Sequence, residues 1–401
     1  MESRIGVIGF GMRSTLIDHA HRPGEGSRVV AVCDPRPERR AEAARRYQAA
    51  TYATADELLR HELDAVFVLS PDHLHVEHAV AVLESGRAAY VEKPLAITVE
   101  GCDRVLETAV RTGSRLYVGH NMRHMPVVTT MRDLIASGAI GTVTAIWCRH
   151  FVGHGGDYYF KDWHAERAKG TGLLLQKGAH DIDVIHWLAG GYSRTVTAMG
   201  ALTLYGDIAD RRTEPDYKVA FDHDTWPPSA HTGLNPVVDV EDLSMVTMAL
   251  DNGAFATYQQ CHYTPDYWRN YTVIGTEGRL ENFGDGPGAL VRVWNRRHRG
   301  YAAEGDRVVR IGQSAAAEAG HGGADPAIVA EFVRFARVGG PTATSPVAAR
   351  QAVATACAAT DSLRAGGTAT AVPGLAEDLR GYFEANADPG PTENVARGPR
   401  P

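Results

Sequence analysis

The chain has no apolar run approaching the ~20 residues that a membrane-spanning helix needs. No charged segment followed by an apolar one precedes its first strand-like stretch, so neither insertion nor export is expected. It also lacks any long basic run, and 41 Lys and Arg against 48 Asp and Glu leave a formal charge of −7. That balance argues against nucleic acid and anionic membrane as partners and favours a small molecule. Cysteine is scarce: Cys33, Cys102, Cys148, Cys261 and Cys357 form no CxxC pair and no even framework. They suit reduced, buried side chains in a cytoplasmic protein. No internal repeat is present, and the sequon at Asn270-Tyr271-Thr272 carries no meaning without a secretory route.

What is there reads as two globular domains. The 401 residues exceed the ~250–300 at which single cores stop growing, while 44% hydrophobic and 22% charged residues are ordinary values. Short apolar segments at 4–8, 28–33, 65–69, 88–91 and 116–118 alternate with helical stretches such as 38–47 and 75–84, which predicts a βαβα domain with a buried parallel sheet. Texture changes near residue 121. Beyond a helix around 127–137, alternating or aromatic segments at 142–151, 193–205, 242–250, 254–263 and 270–275 predict a mostly antiparallel sheet. Asp251-Asn252-Gly253 supplies a hairpin turn. The expected division is 1–121, 122–387 and a frayed tail at 388–401. A late helix is expected at 346–364. The polar stretch between Tyr205 and Glu241 far exceeds the ~4–6 residues of a usual connection, which marks it as functional or mobile.

The first strand runs into Gly9-Phe10-Gly11-Met12-Arg13-Ser14. Gly9 permits a tight turn, Gly11 lets the backbone approach a pyrophosphate, and Ser14 takes the third fingerprint position where Gly or Ala is usual. A following helix would offer its N–H groups and dipole to the phosphates, with Met12 and Arg13 beside them. Asp34 closes the second strand, about where a carboxylate accepts hydrogen bonds from an adenosine ribose, so NAD is the expected cofactor. Arg36, Arg39 and Arg40 follow it, and they leave open the accommodation of a 2′-phosphate.

Ser70-Pro71-Asp72-His73-Leu74-His75 follows the third of these segments and Glu92-Lys93-Pro94 the fourth. With the glycine turn, this resembles the Gfo/Idh/MocA family, the relatives of glucose–fructose oxidoreductase and inositol dehydrogenase, over about residues 4–285. The resemblance implies a Rossmann domain joined to an α/β domain with a large open, mostly antiparallel sheet that pairs copies into homodimers or homotetramers. It implies activity on sugars, cyclitols or their derivatives. It places Ser70, Pro71, His75, Glu92 and Asn121 along the cofactor. It puts Lys93 at the substrate beside the nicotinamide, where like charge and desolvation would lower the pKa of a lysine, and Pro94 behind a bond that is often cis. His73, His75 and His78 suggest a metal by spacing, but no further ligands are evident and no metal is expected.

The family's second landmark is Asp-x-x-x-His on a helix. In Leu175-Gln176-Lys177-Gly178-Ala179-His180 the histidine matches, but Gln176 stands where the aspartate would be. Helical spacing places Gln176, Lys177 and His180 on one face. Since an amide cannot act as a base, proton transfer falls to His180, with Lys93 and Lys177 as supporting charges. Asp181 and Asp183 are helix residues that orient His180, cap the helix or face a domain interface. Arg123, Tyr158, Trp163, His164, His262 and Tyr263 are further substrate candidates. Trp163 offers an aromatic plane suited to sugar C–H faces. The expected function is an NAD-dependent oxidoreductase of a secondary hydroxyl. Two alternatives stay open: an NAD-dependent glycosidase working by transient oxidation and elimination, and an inactive dinucleotide sensor on the same fold.

Overall fold

The structure, a computed structural model, describes residues 2–215, 224–312 and 321–384. The expected tail at 388–401 and His223 of the long loop lie outside them. The chain divides into two compact units. The first contains 2–125 and takes in 321–353 and 375–384, whereas the second holds 126–215, 224–312 and 354–374. The sequence division was a single cut near 121; the observed units interleave.

The first unit is a six-stranded parallel sheet. Its strands are β1 (Ser3–Ile8), β2 (Ser27–Cys33), β3 (Ala50–Tyr52), β4 (Ala65–Val68), β5 (Ala88–Val91) and β6 (Leu116–Val118), in the order β3-β2-β1-β4-β5-β6. Every residue of β4 and β5 is buried, as continuous apolar runs in a doubly wound sheet should be. The order reverses at β1, so the carboxyl ends of β1 and β4 flank the switch point where such sheets bind ligands. Local chemistry sets the connecting helices. Thr98 caps Val99–Thr112 by accepting from Gly101 N–H, and Gly113 ends it in the left-handed region. Helix Ala324–Val338, far later in the chain, packs Phe332 against Phe67, Tyr90 and Tyr117, with ring centroids 4.9–5.6 Å apart.

The second unit is a nine-stranded mixed sheet made of β7 (Val143–Phe151), β8 (Ser193–Ala201), β9 (Leu243–Leu250), β10 (Phe255–Cys261), β11 (Trp268–Gly275), β12 (Gly278–Phe283), β13 (Leu290–Trp294), β14 (Arg307–Arg310) and β15 (Thr370–Ala371). Only the β7–β10 pair is parallel; the rest pair antiparallel, in the order β14-β13-β12-β11-β7-β10-β9-β8-β15. The Asp251-Asn252-Gly253 turn joins β9 to β10, with Gly253 at positive φ. Alternation along β7 turns Ile146, Cys148 and His150 inward and Trp147 outward. Trp147, Met199, Met245 and Phe255 are exposed. The described ends of the long loop are not loose: Tyr205, Ile208, Leu234, Val238 and Val240 share a core with Tyr159, Phe160 and Leu173. Among the described residues no helix is long and apolar enough to cross a membrane, and no disulfide links the five cysteines.

Candidate functional site

In the first unit the chain leaves β1 through Gly9, whose φ is +90°. A Cβ there would sit 2.7 Å from the Leu69 carbonyl and the Ser70 nitrogen, so only glycine fits between the ends of β1 and β4. At Gly11 a Cβ would meet nothing within 4 Å, which leaves the outer side of the turn open. Met12 is exposed beside it. The helix that follows is shorter than the motif suggests. Met12–Leu16 form a 3₁₀ segment and Ile17–Ala20 a single α-turn, so backbone N–H groups matter here more than a long helix dipole.

Asp34, 2% exposed, accepts from Phe10 N–H at 2.9 Å, and from Arg36 through its backbone at 2.9 Å and its guanidinium at 3.0 and 3.2 Å. Burial alone would push this carboxyl up, but the Arg36 and Phe10 hydrogen bonds outweigh it and hold Asp34 below the usual range. Arg40 instead donates to the Asp34 and Pro35 carbonyls at 2.8 Å, and Arg39 pairs with Glu42 at 3.1 Å. Of the three arginines, Arg36 is the one whose guanidinium meets the ribose-type carboxylate.

Glu92, Lys93 and Pro94 follow β5, with the Lys93–Pro94 bond cis and Lys93 half-buried. Glu92 accepts from Arg13 Nε at 2.9 Å and from Tyr90 Oη at 3.2 Å. Arg13 also grips Asp325 at 3.0 and 3.3 Å, while Asn121 Nδ2 donates to Asp325 at 2.8 Å. Burial works against the Arg13 cation, but Glu92 and Asp325 more than offset it and hold its pKa above the ordinary value. Asp325 had no local signal in the sequence; it comes from 312 residues away to organise the turn. Arg123, named above for substrate, is buried and donates to the Ala343 carbonyl at 2.9 Å.

His75 is wholly buried, with Nδ1 2.6 Å from the Pro94 carbonyl and Nε2 2.8 Å from that of Ser70. It therefore ties the Ser70-Pro71 loop to the Lys93-Pro94 loop. His78 Nδ1 lies 2.9 Å from Ser70 Oγ. Among the described residues no three His, Cys, Asp or Glu side chains are grouped to hold a metal.

In the second unit Lys177 joins helix Leu173–Gln176 to helix Gly178–Ala189, which carries His180 in its first turn. Gln176 and His180 are buried at 5% and 4% exposure; Lys177 is half-buried. The Lys177 ammonium lies 5.9 Å from the centre of the Tyr159 ring. That ring also meets His164 edge-on at 5.6 Å and His262 at 5.1 Å. Trp163 is stacked on His164 at 3.8 Å, so one face of the expected sugar platform is already covered. Tyr158 flanks the same imidazole at 5.2 Å. Tyr159 and Asp162 were missed in the sequence. An Asp two residues before a His is the signal that finds the second, since the pair makes a short turn. Tyr263 lies aside, accepting from Thr203 Oγ1 at 3.0 Å.

Beneath the His180 helix lies a buried polar cluster. Asp181 accepts from Tyr271 Oη and from His150 Nδ1 at 3.0 Å, and is ion-paired with Arg269 at 3.1 Å. Burial pushes the Asp181 carboxyl up, but Arg269 and His150 outweigh it and hold it well below the usual range. Burial and Arg269 lower His150 to about 3, so its ring is neutral. Burial likewise drives His262 well below the ordinary histidine value, with His150 and Lys177 adding to the effect.

Comparison with known proteins agrees with this architecture. The family model described as "Oxidoreductase family, NAD-binding Rossmann fold" matches residues 3–120, and the GFO/IDH/MocA C-terminal domain matches 128–281. Bacillus subtilis YteT is 26% identical over 318 residues, covering 69% of this chain and 74% of that one. Inositol 2-dehydrogenase 3 of Saccharopolyspora erythraea is 35% identical over 193 residues, 47% of this chain and 54% of the relative. The match thus spans about half the length of the inositol dehydrogenase. Levoglucosan dehydrogenase in complex with NADH and levoglucosan shares the fold, with TM-score 0.75, 22% identity and coverage of 93% and 100% of the two chains. GenD2 from gentamicin A biosynthesis, in complex with NAD, shares it with TM-score 0.72, 21% identity and coverage of 93% and 97%. With both domain models matched over well more than half its length, the chain belongs to the GFO/IDH/MocA family of oxidoreductases, and its first domain is an NAD-binding Rossmann fold.

Proposed function

We propose that this protein is an NAD-dependent dehydrogenase of a secondary hydroxyl on a sugar, glycoside or cyclitol, working in either direction. The observation that carries this reading is the second unit's grouping of Lys177, Tyr159, His164 and Tyr158, with His180 in the first turn of the helix that Lys177 leads into: imidazoles, a cation and aromatic rings suited to a polyol.

The first unit's residues fit NAD. The open side of Gly11 has room for a pyrophosphate, the buried Asp34 carboxylate for ribose hydroxyls, and the Asn121 Oδ1, buried without a partner among the described residues, for a donor. Gly9, Gly11, Met12 and Arg13 would line the phosphates, with Ser70, Pro71, Glu92, Lys93 and Asn121 beyond, and His75 holding the loops behind them. When bound, NAD supplies the acceptor or donor of a hydride. In the second unit His180 takes the hydroxyl proton, Lys177 stabilises negative charge on the oxygen, and Gln176 orients the substrate by hydrogen bonding; in the first unit Lys93 keeps the substrate-side role that the family resemblance implies. Tyr158 and Trp163 wall the sugar, and Arg123 supports the first unit from its place against Ala343.

A screen of NADH formation across polyols, free sugars and glycosides, repeated with NADP, tests the reading. NAD-dependent turnover of at least one class is expected, with NADP slower because Asp34 repels a 2′-phosphate. No nucleotide reduction with any class would overturn it. Simultaneous detection of aglycone would identify glycosidase chemistry instead.

The exposed Trp147, Met199, Met245 and Phe255 lie on one sheet of the second unit, and apolar patches of this kind are covered in assemblies. Copies of the chain pair through them in a homodimer or homotetramer. Light scattering of Phe255→Lys should then report a smaller particle than the parent; equal masses argue against it.

A further inference from the structure

His164 is an imidazole whose orientation is fixed from one side. Its Nδ1 hydrogen-bonds Asp162 Oδ1, and the same oxygen accepts its backbone N–H at 3.1 Å. Both residues are buried, at 6% and 3% exposure. Trp163 covers one ring face, and the Tyr158 and Tyr159 rings flank it. A carboxylate on Nδ1 selects the tautomer whose proton sits there, which makes Nε2 a lone-pair acceptor. Of the titratable groups, Tyr158 and Tyr159 flank this ring, and Lys177 and His262 meet the Tyr159 ring in turn. Asp162 is the carboxylate that meets this ring, and its two hydrogen bonds to His164 fix the imidazole's orientation.

Proton transfer from the reacting hydroxyl uses one imidazole, and the proposed function gives that task to His180. A second imidazole with a fixed acceptor nitrogen has a different use: it accepts a hydrogen bond from another hydroxyl of the same substrate. We propose that His164 is a specificity-determining residue, with Asp162 as its positioning residue. The substrate class this requires is a polyol carrying a free hydroxyl beside the one oxidised, in preference to an isolated secondary alcohol. The proposal rests on the dehydrogenase reading and adds the second hydroxyl. No bond is broken at His164; its part is to accept a hydrogen bond. A site built to pair a hydroxyl rejects the analogue lacking it, because a buried polar group is then left unpaired.

The test uses the best polyol from the screen and its analogue lacking the neighbouring hydroxyl, with the parent, His164→Phe and Asp162→Asn. In the parent, loss of that hydroxyl should lower kcat/KM at least about 100-fold. In His164→Phe, which keeps a flat ring without an acceptor, the polyol should fall by a similar factor and the deoxy analogue hardly at all. Without cofactor, the ¹⁵N resonance of His164 should move when the polyol is added and stay put with the analogue. Asp162→Asn should weaken discrimination while leaving the unfolding temperature close to the parent's. Multiplicative losses for variant and deoxy substrate, or a still histidine resonance, would overturn the proposal. Absence of NADH formation by the parent with every polyol would instead sink the dehydrogenase reading.

Discussion

Replacing His180 by alanine is expected to lower kcat/KM by about 100- to 10,000-fold, the range for removing a positioned acid or base. His180 is 4% exposed in the first turn of Gly178–Ala189, with Lys177 just before it and Gln176 before that. Of these three, the imidazole is the one with a lone pair able to take up a proton, since an amide is not a base and an ammonium already carries its proton. NAD affinity should stay within about twofold of the parent, because the glycine turn and Asp34 belong to the other unit. Titrating NAD into the variant by calorimetry checks that, and thermal unfolding checks that the helix survives. A variant with parental turnover would transfer the role to another group.

Replacing Arg269 by leucine should destabilise the second unit by about 3–5 kcal/mol, the cost of breaking a buried pair from one side. Arg269 and Asp181 are 4% and 0% exposed, so the carboxylate would be left with Tyr271 and His150 and no cation. Asp181→Asn in the same background should recover part of the loss, since a neutral amide needs no counter-charge. Urea unfolding measures both, and a loss below about 1 kcal/mol for Arg269→Leu would show that the cluster relaxes or admits water.

The same cluster makes stability depend on acid. His150 is depressed to about 3, against ~6.5 in an unfolded chain, so between those values the unfolded state binds a proton that the folded state refuses. His150 therefore contributes stability that is complete above about pH 6.5 and is lost as pH falls toward its folded value, with a slope up to about 1.4 kcal/mol per pH unit. His262, also depressed, acts in the same direction. Asp181 adds to it lower down, since its contribution is present above the unfolded ~3.9 and lost as pH drops through its own depressed value. Urea unfolding from pH 7 to pH 4 should show the decline, and His150→Phe should flatten it.

The sequence by itself determined whatever local chemistry and periodicity carry. β-branched runs at period two or in continuous blocks mark strands, and the Gly9 turn can be filled by no other residue. Asp34 at the end of β2, and Glu92-Lys93-Pro94 after β5, stand where a parallel sheet presents its carboxyl ends. These signals are short-range, so a linear reading reaches them. Tertiary structure decided the rest. Asp325 reaches Arg13 and Asn121 from a helix whose Phe332 docks on the sheet's aromatic face. Trp163, expected as an open sugar platform, is instead stacked on His164, and Tyr159 gathers His164, His262 and Lys177 around one ring. Arg269 and Asp181, 88 positions apart, meet where burial removes water and makes each indispensable to the other. Such pairings depend on desolvation, and desolvation is a property of the packed chain, not of any segment within it.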